Sequence, residues 1–267
     1  MEVSLIVVSA LFGMAVGSFL NVCIDRLPAG ESLLFPASRC AACHRRLAIK
    51  DLIPVISYLW LRGHCRYCRA PVPRRLLWVE VGTGILFAYL YWRYGLSVEL
   101  ALVAFYCCLF LVIMVIDLEH GIIPNKIVYP CMAVALVISV FLPPSGVAYP
   151  GETATLLFNA FLPKLGIAQA AILTSPQPIP PPREIITISM GWGDVKMAAL
   201  IGIITGYLIP VALLLAVILG GLVAVILLLF KLKNRKEGIP FAPYLSLGAM
   251  ITLLFGSNIL NWYLGMF

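Results

Sequence analysis

The sequence predicts an all-α, polytopic membrane protein of about eight transmembrane helices with one small cytoplasmic loop domain. Three observations lead there. The 267 residues are 62% hydrophobic and 12% charged, with a mean hydropathy of +1.01, whereas a soluble domain carries about 25% charged residues. Apolar runs recur at the length a membrane span requires. The basic residues gather in two segments, ten Lys or Arg from Arg26 to Arg75 and four more within 231–236. The net charge of +7 therefore reads as cytoplasmic loops beside anionic lipid, not as an affinity for nucleic acid.

A span needs about 20 apolar residues. The sequence places spans near 3–24, 77–94, 99–116, 127–142, 153–173, 194–209, 211–230 and 241–263. The first has Glu2 in place of a basic n-region and runs past the length of a signal h-region, so it reads as a retained helix. The fifth is interrupted by Pro163 and Lys164, and Pro210 fits a tight hairpin turn between the sixth and seventh. The proline-rich stretch 174–190 reads as a loop. With the N-terminus outside, this arrangement puts both basic segments in the cytoplasm, as the positive-inside rule asks. Three parts follow: a first transmembrane helix (1–24), a cytoplasmic loop domain (25–76) and a transmembrane core (77–267).

Two acids stand at the ends of apolar runs. Asp117 follows the run from Ala101 to Ile116, and Asp194 follows Gly191-Trp192-Gly193 at the mouth of the sixth span. The topology brings both to the cytoplasmic membrane face, although neither was used to derive it. Acids at membrane depth are costly and usually kept for function. Two carboxylates acting together titrate as a pair, so one can activate water while the other polarises a carbonyl. Gly191 and Gly193 leave the backbone uncrowded for an extended substrate. On spacing alone a plainer reading stands beside this one: Asp194 caps its helix, and Asp117 pairs with Lys126 or His120.

The cysteines divide into two groups. Cys23, Cys107, Cys108 and Cys131 lie in apolar runs and behave as small buried hydrophobes. Cys40-Ala-Ala-Cys43 and Cys65-Arg-Tyr-Cys68 lie in the polar loop with 21 residues between the pairs, close to the spacing of a four-thiolate zinc site. A cytoplasmic loop disfavours disulfides, and the βαβ context of a redox pair is missing. Cys40-Ala-Ala-Cys43-His44 also fits the haem-attachment pattern, but haem would leave Cys65 and Cys68 unexplained.

Other chemistries are poorly supplied. The three histidines, His44, His64 and His120, form no H-E-x-x-H, and none lies within a span to serve a serine nucleophile. Val79-Glu80-Val81-Gly82-Thr83-Gly84 resembles a methyltransferase glycine motif but sits inside the second span, where small residues more often let helices approach. Glu80 is a charged group near the cytoplasmic end of that span, which marks it for a role.

Several segments together resemble the type IV prepilin leader peptidases, relatives of the Gly-x-Gly-Asp intramembrane aspartyl proteases. They are Gly17-Ser18-Phe19-Leu20-Asn21-Val22 with Arg26-Leu27-Pro28, the two C-x-x-C pairs with Tyr58 and Leu61-Arg62-Gly63 between them, Met190-Gly191-Trp192-Gly193-Asp194-Val195-Lys196, and Ile239-Pro240-Phe241-Ala242-Pro243-Tyr244. The resemblance implies a multi-pass protein of the bacterial inner membrane. It would cut the basic leader of prepilins or pseudopilins after a glycine, with Asp117 and Asp194 as catalytic acids at the cytoplasmic face. It also implies N-methylation of the new terminal residue with S-adenosylmethionine, although no motif locates the donor. The chain departs from the family at Asn125, where an aspartate is common, at Ala242, where a glycine is common, and in the longer, less glycine-rich region 143–190.

Two readings from other classes use the same residues. A cation-coupled carrier would use Asp117 and Asp194 at mid-membrane, but both fall at one face and no inverted repeat is apparent. A non-enzymatic assembly factor would hold pilin helices through the zinc loop and would not need either acid.

Overall fold

The computed structural model describes residues 2–33, 35, 37–141, 192–230 and 240–266. Among these residues the chain is helical with no strand. It comprises α1 (Glu2–Ala29), α2 (Ile56–Trp60), α3 (Arg74–Tyr94), α4 (Val98–His120), α5 (Asn125–Phe141), α6 (Trp192–Thr205), α7 (Ile209–Leu229) and α8 (Ala242–Leu264). Short 3-10 turns cover Ile49–Asp51 and Gly206–Leu208. The chain divides into two compact units, Met1–Pro124 and Asn125–Phe267.

Among the described residues, four stretches are long and apolar enough to cross a membrane: Val3–Ala29, Val98–His120, Ile209–Leu227 and Ala242–Tyr263. Asn125–Ile138 is a shorter apolar helix. The spans expected at 77–94 and 194–209 coincide with α3 and α6, which fall short of that standard. The span expected at 153–173, the loop 174–190, Gly191 and the basic stretch 231–236 lie outside the described residues. The turn expected at Pro210 comes earlier, at Gly206–Leu208, where Gly206 adopts a φ of 57°. Pro210 instead sits in the first turn of α7, where a missing N–H costs nothing.

The first unit is built on an antiparallel pair, α1 and α3, with α4 packed against both. Lipid offers no hydrophobic drive for helix association, so close backbone approach must hold such a pair. The sequence supplies it as Gly13-Met-Ala-Val-Gly17, a G-x-x-x-G stripe. A Cβ at Gly13 would fall 2.6 Å from the Thr83 carbonyl oxygen, and one at Gly17 would fall 2.8 Å from the Glu80 Cα. Gly84 answers from α3, with Met14 against it. Two polar contacts fix the register. Ser9 Oγ donates to the Phe87 carbonyl at 3.0 Å, Asn21 Nδ2 donates to the Leu76 carbonyl at 3.1 Å, and Thr83 sits fully buried between them. The core of this unit lies on α4, where Phe110, Ile113 and Ile116 are wholly buried.

In the second unit, α5 packs on α6, and α6 and α7 both pack on α8. The α7–α8 contact again uses a glycine. A Cβ on Gly248 would meet the Ala212 carbonyl at 2.5 Å, so the two helices touch through small residues.

Replacing Gly17 with Ala should force α1 from α3 and lower stability by about 1–3 kcal/mol, the usual penalty for overpacking. Gly82→Ala, at a helical glycine with nothing within 4 Å, should leave it unchanged. Thermal unfolding of both variants in one detergent checks the contrast.

Candidate functional site

The loop between α1 and α3 folds as two matching turns. In the first, Cys40 N–H donates to the Arg45 carbonyl at 3.0 Å and His44 N–H donates to the Cys40 carbonyl at 2.9 Å. In the second, Cys65 N–H donates to the Ala70 carbonyl at 2.9 Å and Arg69 N–H to the Cys65 carbonyl at 3.0 Å. The residue after each second cysteine, His44 or Arg69, has a φ near +55°. A bridge closes each turn, Arg39 to Arg46 and His64 to Pro71. The repeat follows from C-x-x-C itself: two thiols two residues apart can face one point if the chain turns back at once.

The two turns bring all four sulfurs within 4.8 Å of one another. The Cys40 and Cys68 Sγ atoms are 3.8 Å apart. A tetrahedral centre with metal–sulfur bonds of ~2.3 Å has sulfur–sulfur edges of ~3.8 Å, so the cluster can hold a metal ion with little movement. The backbone N–H groups of Cys43 and Ala42 point at Cys40 and bring its thiol down to about 7. The Ala70 N–H favours a thiolate at Cys68 too, but desolvation and the other three sulfurs hold that proton up to about 11. Cys40 is thus ready to ionise near neutral pH, while Cys68 holds its proton. The convergence also accounts for both C-x-x-C pairs at once, which the haem reading could not.

Polar contacts tie the domain together and to the helices. Asp51, with its side chain 3% exposed, accepts from Arg66 Nε at 2.7 Å, and Arg45 lies over the Tyr67 ring at 5.6 Å. Tyr58 Oη donates to the Val72 carbonyl at 3.4 Å, and Gly63, at a φ of 71°, leaves that ring its space. The buried Glu80 of α3 accepts the Val55 N–H at 2.7 Å and is also hydrogen-bonded by Ser18. Residues of the glycine motif are therefore helix-packing and domain-anchoring groups. α3 is helical throughout them, with none of the strand–turn–helix that a nucleotide loop needs.

Asp117 is buried in the last turn of α4. Gly121 ends that helix in the left-handed region, and its N–H donates to the Asp117 carbonyl at 2.9 Å. Two residues on from Asp117, Glu119 accepts from Arg75 Nη1 at 2.7 Å, while Arg75 Nη2 donates to Asp25. Arg75 therefore joins the end of α1, the start of α3 and the end of α4, so Asp117 lies at the end of its unit that carries the cysteine domain. Nothing local marks this bridge, because its three members are far apart in the chain and sit among many other charges.

Asp194 is half-buried in the first turn of α6, with Gly193 before it. As the third helical residue it is not the N-cap, although a carboxylate there favours the helix N-terminus. Lys196, two residues on, donates to Asn125 Oδ1 at 2.8 Å and lies 5.1 Å from the Tyr129 ring centroid. Asn125 thus supplies the acceptor that ties α5 to α6.

The chain matches two family models in succession. The Bacterial Peptidase A24 N-terminal domain matches over residues 11–94, and the Type IV leader peptidase family matches over residues 104–225. A prepilin leader peptidase/N-methyltransferase of Pseudomonas putida is 32% identical over 283 residues, covering 95% of this chain and 92% of the relative. Proteins of the same description from Stutzerimonas stutzeri and Bacillus subtilis are each 29% identical, covering 95% and 96% of this chain and 92% and 96% of their own lengths. No solved structure matches.

Metal retention should follow the Cys40 thiol. Above pH about 7 that sulfur is ionised; as pH falls through this value protons compete for it, and affinity should weaken. Measuring bound metal after dialysis on either side of pH 7 tests this, and equal retention on both sides would contradict it.

Proposed function

The chain belongs to the type IV leader peptidase family, and on that premise we propose that it removes the leader from prepilins or pseudopilins after a glycine and N-methylates the residue so exposed. The observation that carries this reading is the match, over 95% of the chain, to relatives whose description names both activities.

We assign Asp117 and Asp194 as the catalytic pair. Supporting this, Asp117 closes an apolar helix at the end bearing the cysteine domain, and Asp194 opens another helix in the Gly-Trp-Gly-Asp motif. Two carboxylates serving one peptide bond share a proton. The ionised member takes a proton from the attacking water while the protonated one donates a hydrogen bond to the scissile carbonyl. Collapse of the tetrahedral intermediate then breaks the C–N bond, and a carboxyl proton passes to the departing amine. Gly191 and Gly193 give an extended substrate room beside the second acid. A prepilin is an apolar helix with a charged leader, so its scissile bond meets the protein at the membrane boundary, and acids that end apolar helices suit that depth.

We assign zinc to Cys40, Cys43, Cys65 and Cys68, because a closed set of four thiolates suits a structural zinc site. The ion would contribute folding energy that so short a domain lacks. Residues 25–76 are the part we assign to methylation, for which S-adenosylmethionine supplies the methyl group. Ten basic residues in this loop favour a location on the cytoplasmic side of the bacterial inner membrane.

With a purified prepilin in detergent, Asp117→Asn and Asp194→Asn should each lower leader cleavage by at least about 100-fold, the typical worth of a general acid or base. Mass spectrometry reads leader loss and methyl gain together. Cleavage that survives in either folded variant would overturn the assignment. In the same assay Cys43→Ser should lose metal and reduce methylation more than cleavage, since both acids lie outside the cysteine domain.

A further inference from the structure

The short helix α2 is amphipathic the wrong way round for a domain in water. Ile56, Leu59 and Trp60 fall on one face of α2 at the three- and four-residue spacing of a helix, and Leu52 and Ile53 stand in the turn just before it. All five are exposed, Trp60 at 81%. The side chain that turns inward is Tyr58, held by the Val72 carbonyl and packed on Gly63. A domain stabilised by burying apolar surface from water would reverse this arrangement.

The anchoring of α2 says what covers the stripe. Val55, immediately before the helix, donates to Glu80, which lies six residues beyond Arg74 at the start of α3. At 1.5 Å per residue that is ~9 Å along the membrane helix from its first guanidinium. Interfacial helices settle about 5–10 Å into the headgroup–acyl boundary. Trp78, on α3 within that interval, is 71% exposed and gives the same level a second outward indole, as membrane-interface belts do. Arg62 and Arg69, exposed on the same domain, suit an anionic headgroup layer.

We propose that α2 and the turn before it form an interfacial anchor whose apolar stripe, Leu52, Ile53, Ile56, Leu59 and Trp60, lies in the headgroup–acyl boundary of an anionic bilayer and holds the second cysteine turn against the membrane. Trp60 lies five residues before Cys65, so fixing the indole fixes the height of that turn. The anchor would act on the cysteine domain whatever chemistry the membrane acids perform.

The test uses the full chain in vesicles of phosphatidylglycerol and phosphatidylethanolamine, with plain or brominated acyl chains. The emission of Trp60 is obtained as wild type minus Trp60→Phe, both checked for equal metal content. This difference emission should be largely lost in brominated vesicles and insensitive to acrylamide in the aqueous phase. Moving the reporter within the stripe, by Leu59→Trp in the Trp60→Phe background, should restore the bromine-sensitive signal. Difference emission that persists in brominated lipid overturns the anchor. If acrylamide quenches it the stripe is in water, and if acrylamide does not, protein from this chain or a second copy covers it. Neither result depends on cleavage, so failure here is distinguishable from failure of the protease reading.

Discussion

Contact between α1 and α3 without intervening side chains is the constraint on which the first unit rests. Gly13 and Gly17 let α1 lie on the backbone of α3, and this contact determines which polar groups meet. Asn21 reaches the Leu76 carbonyl and Ser18 reaches Glu80 because the helices are close enough for short side chains to span them. Glu80, buried by the same contact, turns Oε2 to Val55 and so takes hold of the cysteine domain. Wider spacing would admit longer side chains at the seam and leave a buried carboxylate to be satisfied some other way, at a cost of several kcal/mol.

The spacing rules of a membrane chain made much of this legible. Seven of the eight expected spans coincide with helices, since apolar length is a strong signal in lipid. The cysteine quartet was legible as well, because C-x-x-C admits few arrangements that bring four thiols together. Contacts that depend on pairing distant segments were not. Arg75 joins Asp25 and Glu119 across 50 and 44 residues, and nothing local marks it among the ten basic residues of its segment. The G-x-x-x-G stripe was present to be read, yet it stands inside a segment already explained by hydrophobicity. Pro210 misled by one turn, because proline suits a helix start as well as a hairpin.

The charges near the two acids are arranged differently. Beside Asp117, Arg75 is shared between two carboxylates, each partly exposed, so these contacts contribute little energy and mainly fix where three helix ends meet. Beside Asp194, Lys196 is held by a neutral amide and a ring face. An aspartate at position 125 would cancel the ammonium charge, whereas asparagine keeps the tether and leaves a full positive charge two residues from the acid.

The matching cysteine turns bear on how the loop closes. A chain that leaves one helix and enters the next must surrender the entropy of bringing its ends together, a cost that rises slowly with length. Here the ends are already joined by the α1–α3 seam, so a metal ion held by Cys40, Cys43, Cys65 and Cys68 would close a smaller ring nested within the first. Each turn is complete in its own hydrogen bonds and contributes half of the donors. Loss of the ion would open the inner ring while the outer one stays shut, leaving two preformed halves tethered to one membrane platform. Such a domain would surrender and recapture a cation by local rearrangement, without the helices beneath it coming apart.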